Sequence, residues 1–287
     1  MVATSLACSG GAWGAGSGGG RIVLSLGKQP GATYPIYYLW TLSPAGVGLH
    51  RLNPFHKPGE YSPAWSPDGH TIAFSRSCSA VYIGGEEIWT MHHGGSDPAR
   101  LTAHCGGADS PAWSPDGATI AYANIGIWRM NADGSAAVEL TNPLPHIFDK
   151  EPSFSPDGRT ILFIRYDERP RIPRSSLWRM DADGSNLTRL TKPSRTVLWE
   201  ARYSPDGKTI AVAANTLQLM TPDGSHRRDT KLSTTLAQFA WSPNGRKIAC
   251  TCRQNGVWIY NLARRKAKQI FRFAPSADGA MGIDWSR

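Results

Sequence analysis

Short apolar runs, each four or five residues long and rich in β-branched side chains, punctuate this chain at nearly regular intervals. Thr71-Ile72-Ala73-Phe74-Ser75, Thr119-Ile120-Ala121-Tyr122 and Thr160-Ile161-Leu162-Phe163 are clear examples. Runs of this length and composition predict strands. Each is preceded by an aromatic and a turn: Trp65-Ser66-Pro67-Asp68-Gly69, Trp113 to Gly117, Phe154 to Gly158, Tyr203 to Gly207 and Trp241-Ser242-Pro243-Asn244-Gly245. Proline presets φ, Asp or Asn suits the next turn position and glycine accepts positive φ, so the chain reverses there as a hairpin.

A third strand follows with its own aromatic pattern, as in Leu39-Trp40, Ile88-Trp89, Ile127-Trp128, Leu177-Trp178 and Val257-Trp258. Turns such as Asn131 to Ser135 and Asp181 to Ser185 then lead to a fourth strand ending at Leu101-Thr102, Leu140-Thr141 or Leu190-Thr191. The motif serines 66, 114, 155, 204, 242 and 286 are 48, 41, 49, 38 and 44 residues apart, the period of four-stranded propeller blades. The first blade opens on a second strand, Arg21 to Ser25, and Gly282-Ile283-Asp284-Trp285-Ser286 supplies its missing first strand. The expected fold is therefore all-β: six four-stranded antiparallel blades over residues 21–287, the ring closed by the C-terminal strand. Closure removes the sheet edges that invite aggregation.

These repeats, Trp65-Ser-Pro-Asp-Gly69 and Trp178-Arg-Met-Asp-Ala-Asp-Gly-Ser185 above all, resemble the WD-like repeats of TolB-type six-bladed propellers over residues 21–287. Related propellers serve as periplasmic binding proteins, as gates on prolyl-oligopeptidase-type enzymes and as cell-surface modules, so the resemblance implies a fold and a range of functions. The α/β domain that precedes the propeller in TolB has no counterpart among these residues.

Residues 1–20, Gly/Ser-rich from Gly10 onward, are expected to be a leader or linker that buries no core. Ser5-Leu6-Ala7-Cys8 loosely resembles the end of a signal peptide or a lipoprotein site. The net charge of +9 allows an anionic partner. Its densest cluster is Arg264-Arg265-Lys266-Ala267-Lys268, with Arg169, Arg171 and Arg174 second; neither carries the interleaved aromatics of a nucleic-acid site, so nucleic acid is not expected. Attachment to an anionic surface stays as one reading.

Strand order places the Ser-Pro-Asp-Gly and Asp-Gly-Ser turns on one face, here the bottom, and the variable loops on the other, the top. Variable loops on a rigid scaffold favour binding. His56, His104 and His146 fall in top blade-to-blade loops, while Tyr61, Asp109, Asp149, Glu151, Trp199 and Glu200 lie at or just before inner-strand starts, beside the channel mouth. Of the 11 tryptophans, nine fill the two repeating aromatic slots, and only Trp13 and Trp199 do not. An aromatic beside carboxylates suits a sugar or peptide; the same residues also serve as ordinary solvated channel lining.

The expected ligand-binding set is Tyr61, Asp109, Glu151, Trp199, Glu200, His56, His104 and His146, recognising a protein, peptide or glycan, with no cofactor, no metal and no catalytic residue. The sequence holds no Gly-x-Ser-x-Gly elbow and no phosphate-binding loop. The alternative is a propeller enzyme, a lyase or hydrolase acting on a sugar or ester, with a metal or His/Asp pair at that mouth. Cys78 and Cys105 emerge on the top face of one blade and can form a disulfide if the protein is exported; Cys250 and Cys252 read as small buried apolar residues. The expected location is periplasmic, secreted or envelope-associated, with the cytoplasm left open.

Overall fold

A computed structural model describes residues 20–27, 37–52, 59–78, 85–233, 238–251, 256–273 and 280–286. All of the expected segment 1–20 except Gly20, together with His56 and Cys252, lies outside these residues. Within them the chain forms six four-stranded antiparallel sheets around one axis. Blade one pairs β1 (Ile22–Gly27), β2 (Tyr37–Leu42) and β3 (His50–Arg51) with β24 (Ala280–Trp285). Blade two is β4 (Glu60–Trp65), β5 (Thr71–Ser77), β6 (Glu86–His92) and β7 (Ala99–Arg100); blade three is β8 (Asp109–Trp113), β9 (Thr119–Asn124), β10 (Gly126–Asn131) and β11 (Val138–Glu139). Blade four is β12 (Ile147–Phe154), β13 (Thr160–Asp167), β14 (Arg174–Asp181) and β15 (Thr188–Arg189). Blade five is β16 (Glu200–Tyr203), β17 (Ile210–Ala213), β18 (Thr216–Met220) and β19 (Arg228–Ser233); blade six is β20 (Phe239–Trp241), β21 (Lys247–Cys250), β22 (Gly256–Asn261) and β23 (Lys266–Arg272).

Ring closure follows the sequence pattern. β24 runs antiparallel to β1 with Ile22 opposite Trp285 and Leu24 opposite Ile283. The Arg21 amide donates to Ser286 Oγ at 2.7 Å, and the Ser286 amide donates back to the Arg21 carbonyl at 2.8 Å.

Second strands are covered on both faces by neighbouring blades, which is why they read as continuous apolar runs. Phe74, Phe163 and Val212 are fully buried. The core is a ring of apolar clusters between blades: Val23 and Leu39 meet Ile72 and Phe74, while Ile22 and Leu24 meet Ala249 and Val257. The motif turns repeat one bonding scheme. Ser66 Oγ donates to Asp68 Oδ1 at 2.5 Å and accepts from the Thr71 amide at 2.9 Å, and the same set recurs at Ser114, Ser155 and Ser204. Each turn also rests on its neighbour: a Cβ on Gly158, whose φ is +72°, would lie 3.5 Å from Pro115 Cδ of the preceding blade. The Leu-Thr ends of fourth strands have a role too. Thr102, Thr141 and Thr191 each accept a backbone amide through the hydroxyl oxygen, from Ile88, Ile127 and Leu177.

Candidate functional site

The inner strands carry their channel-facing residues at matching places. One layer is Ser62, Ser110, Glu151, Glu200 and Gln238; two residues on stand Ala64, Ala112, Ser153, Arg202, Ala240 and Asp284. Below them lie six aromatics from Trp65 to Trp285 and then Pro67, Pro115, Pro156, Pro205 and Pro243. Residues from all six first strands, Ala240 aside, surround a cavity of about 240 Å³ that runs from the glutamate layer to the proline ring. Its lowest lining residues, Ser66, Pro67 and their counterparts, belong to the repeated turns of the bottom face.

Local backbone geometry aims the upper layer inward. Ser62, Ser110 and Glu151 have φ of 45°, 55° and 54°, although each precedes a proline. Residues before proline normally stay extended, and non-glycine residues in this region cost about 1–3 kcal/mol each. All three sit in β-bulges, where one extra residue interrupts the register between Tyr61 and Ala64, Asp109 and Ala112, and Lys150 and Ser153. A bulge re-aims a side chain at the expense of a ladder bond.

A charged network crosses the floor of the cavity. Arg202 Nε donates to Glu200 Oε1 at 2.5 Å and Arg202 Nη1 to Asp284 Oδ1 at 2.6 Å. The other carboxylate oxygens reach into further blades: Glu200 Oε2 accepts from the Phe239 amide at 2.9 Å, and Asp284 Oδ2 from the Trp65 amide at 2.8 Å. Glu151 faces this network without a guanidinium of its own. Burial, reinforced by the nearby Glu200 and Asp109 charges, pushes its carboxyl up to about 8, against the opposing pull of Arg202 and Ser110. Burial also raises Glu200, while Arg202 and the Phe239 amide pull it back down.

The raised Glu151 makes stability pH-dependent. The folded state retains a proton that the unfolded chain releases near its ordinary 4.5, so stability is fullest below that value and falls as pH rises towards 8. Glu60, buried at the blade one–two junction and pushed up to about 7 by desolvation, acts in the same direction. Glu151→Gln is expected to flatten the profile and raise stability at pH 8 by at least about 1.4 kcal/mol, the worth of a tenfold change in proton binding. Urea melts from pH 5 to 8 check it; parallel profiles for both proteins would refute it.

The structure divides the expected site residues. Glu151 and Glu200 line the cavity. Tyr61 stands above it, its ring 5.3 Å from that of Tyr37, and Asp109 Oδ1 accepts from the adjacent Ser110 amide. Asp149 is fully buried and doubly bonded to Arg165, 2.7 Å at each contact. Trp199 is half-buried and packs against the apolar cluster between blades five and six, outside the cavity lining. His146 is exposed in the loop before β12, and His104 bonds Glu87, which also accepts from Trp89 Nε1 at 2.7 Å and the Cys105 amide at 3.2 Å.

Among the described residues, Glu87, His104 and Cys105 bring metal-ligand atoms within 4.8 Å of one another. Cys105 Sγ, however, is bonded to Cys78, with Cα atoms 5.6 Å apart, so the trio offers two donors. The Cys250 reading needs correction: the residue is buried as expected, but it is disulfide-bonded rather than a free thiol. Of the basic residues, Arg169 is bonded to Asp167 at 2.8 and 2.9 Å, whereas Arg264 and Arg265 are exposed.

Arg202 and Asp284 escaped the sequence reading. The signal was present, because both replace the small residues found at 64, 112, 153 and 240 in the other blades.

A closed ring of six four-stranded blades around a polar-floored axial cavity defines a six-bladed β-propeller fold. The sequence matches no protein-family model and no curated protein. Among solved structures, the chain is similar to TolB from Acinetobacter baumannii, with a TM-score of 0.72 and 19% identity over 93% of this chain and 66% of that one. This chain thus spans just under two thirds of that protein's length. It is also similar to a chain of a nidogen/laminin complex, with a TM-score of 0.70 and 13% identity over 93% of this chain and 99% of that one. An oligogalacturonate lyase in complex with manganese matches at TM-score 0.54 and 15% identity, over 88% of this chain and 73% of that one. At these identities the likeness is one of fold.

Proposed function

We propose that this protein is a non-enzymatic recognition module that takes up an exposed segment of a protein or peptide partner in the axial cavity, from the bottom face. The observation that carries this reading is the cavity itself: six blades converge on it, and three strained bulges aim polar side chains into it. A volume of about 240 Å³ is below the range of about 300–1,000 Å³ typical of small-molecule sites and suits one or two inserted side chains. Prolines and aromatic edges at the rim offer apolar contact, and the floor offers the Glu151 carboxyl, beside the Arg202-bonded Glu200 and Asp284, to a polar group. Glu151 and Glu200 are retained from the expected set; Tyr61, Asp109, Trp199, His104 and His146 stand outside this mouth. The TolB and nidogen/laminin neighbours are compatible with a protein partner.

An oxidising, extracytoplasmic location is part of the proposal, supported by the Cys78–Cys105 bond. No helix among the described residues is long and apolar enough to cross a membrane. The lyase neighbour keeps an enzymatic reading in view, but His104 is held by Glu87 and forms no ligand group with His146.

Ala112→Trp tests the proposal by filling the channel with an indole. Peptides selected on the wild-type protein from a displayed library are expected to bind the plugged variant at least about tenfold more weakly, a loss of about 1.4 kcal/mol. Tyr166→Ala, on the top face, should leave them unaffected. Equal binding to wild type and the plugged variant would move the site elsewhere.

A further inference from the structure

Blade two differs from its neighbours on the bottom face. The residue after the motif glycine is Ala118, Arg159, Lys208 or Arg246 in blades three to six, but His70 in blade two; the turn after the third strand begins Asn131-Ala132, Asp181-Ala182, Thr221-Pro222 or Asn261-Leu262 elsewhere, but His92-His93 here. Three of the eight histidines thus meet under one blade. The backbone holds them together: Thr71 lies opposite His92 in the β5–β6 ladder, and the His93 amide donates to the His70 carbonyl at 2.9 Å.

Their rings are close as well. His92 Nδ1 and His93 Nδ1 are 2.9 Å apart, with ring centroids separated by 4.1 Å, and the His70 ring centroid is 6.2 Å from that of His93. His70 and His92 are exposed and His93 is half-buried. The charged groups around them are the Asp68 carboxylate, beside His70, and the Arg21 cation, near His93. Two ligand nitrogens about 2.0–2.1 Å from a tetrahedral zinc ion lie roughly 3.3 Å from each other. The His92–His93 pair needs to open by only about 0.4 Å to reach that spacing, and His70 needs a rotation of an exposed side chain.

The geometry points to a zinc-type transition-metal site on the underside of blade two, formed by His70, His92 and His93 with water in the remaining position. Imidazole donors select zinc, copper or nickel over magnesium and calcium. Only one of the facing Nδ1 atoms carries a proton in the metal-free pair; on binding, that ring shifts to its Nε2–H tautomer, Nδ1 giving a proton to water and Nε2 taking one from it with no net release, so that both Nδ1 lone pairs are free for the metal. The site is independent of the axial cavity and does not rest on the function proposed for it.

Calorimetric titration of Zn²⁺ into the metal-stripped full chain tests the assignment. One equivalent is expected to bind, unaffected by excess Mg²⁺ or Ca²⁺. The His92→Ala/His93→Ala variant and His70→Ala alone should each weaken binding by at least about tenfold, the lower end of what even an outer-shell partner contributes to metal affinity. His104→Ala should leave it unchanged, and thermal melts should show every variant folded as wild type. The assignment is overturned by absence of saturable Zn²⁺ binding, by stoichiometric binding that survives the double substitution, by undiminished affinity in His70→Ala, or by loss in His104→Ala.

Discussion

Arg202→Ala is expected to destabilise the ring by about 3–5 kcal/mol, the range for removing one partner from a buried ion network. The reason lies in what the guanidinium leaves behind. Glu200 is 3% exposed, and the Asp284 side chain 16%, and Glu151 adds a third acidic group on the same floor. Without Arg202 these carboxylates face one another in a poorly solvated space. The network also ties four blades across the axis: Arg202 and Glu200 belong to blade five, Phe239 to six, Asp284 to one and Trp65 to two. At about 2–4 °C per kcal/mol for a chain of this size, the midpoint should fall by roughly 10 °C at neutral pH. Protonation of the orphaned carboxyls should shrink the deficit at pH 5, because a carboxyl whose folded value is raised is stabilising on the acid side. Substituting Glu200→Gln and Asp284→Asn as well should recover much of the loss. A midpoint for Arg202→Ala within 2 °C of wild type at both pH values would show that water already screens the network.

The second large effect is expected at the top of blade two. Removing the Cys78–Cys105 bond as Cys78→Ala/Cys105→Ala should lower stability by about 3–4 kcal/mol, from the entropy of a loop this long in the unfolded chain; the two residues are 27 apart in sequence. Substitution is preferable to reductant, which would also attack the bond at Cys250. Urea midpoints of variant and wild type under oxidising conditions measure the difference, and coincident curves would show that the bond adds nothing to the fold. His104 lies in the stapled stretch next to Cys105, so its contact with Glu87 should loosen in the variant.

Much of the architecture was legible because it is built from local rules. Ser-Pro-Asp-Gly is a turn by the chemistry of its own residues, and its side-chain bonds close within five positions. The tryptophan slots followed from the same repetition. Trp199 shows the limit: its departure from the slots was visible, but not that part of its ring packs against the blade five–six cluster, since an irregular position in sequence can still face an apolar neighbour. Asp149 shows another, an acidic residue near the mouth that is wholly occupied by Arg165.

The sequence by itself determined the six-bladed ring, its closure by Gly282 to Ser286 and the turn chemistry, because strand propensity and repeat spacing act over a few residues. Only the tertiary structure decided which end of the axis carries the cavity. That depends on bulges that put Ser62, Ser110 and Glu151 at positive φ, against the usual habit of residues before proline. It also depends on Arg202 meeting Asp284, 82 residues away in the chain, and no local pattern encodes such a meeting, which exists only once the ring has closed.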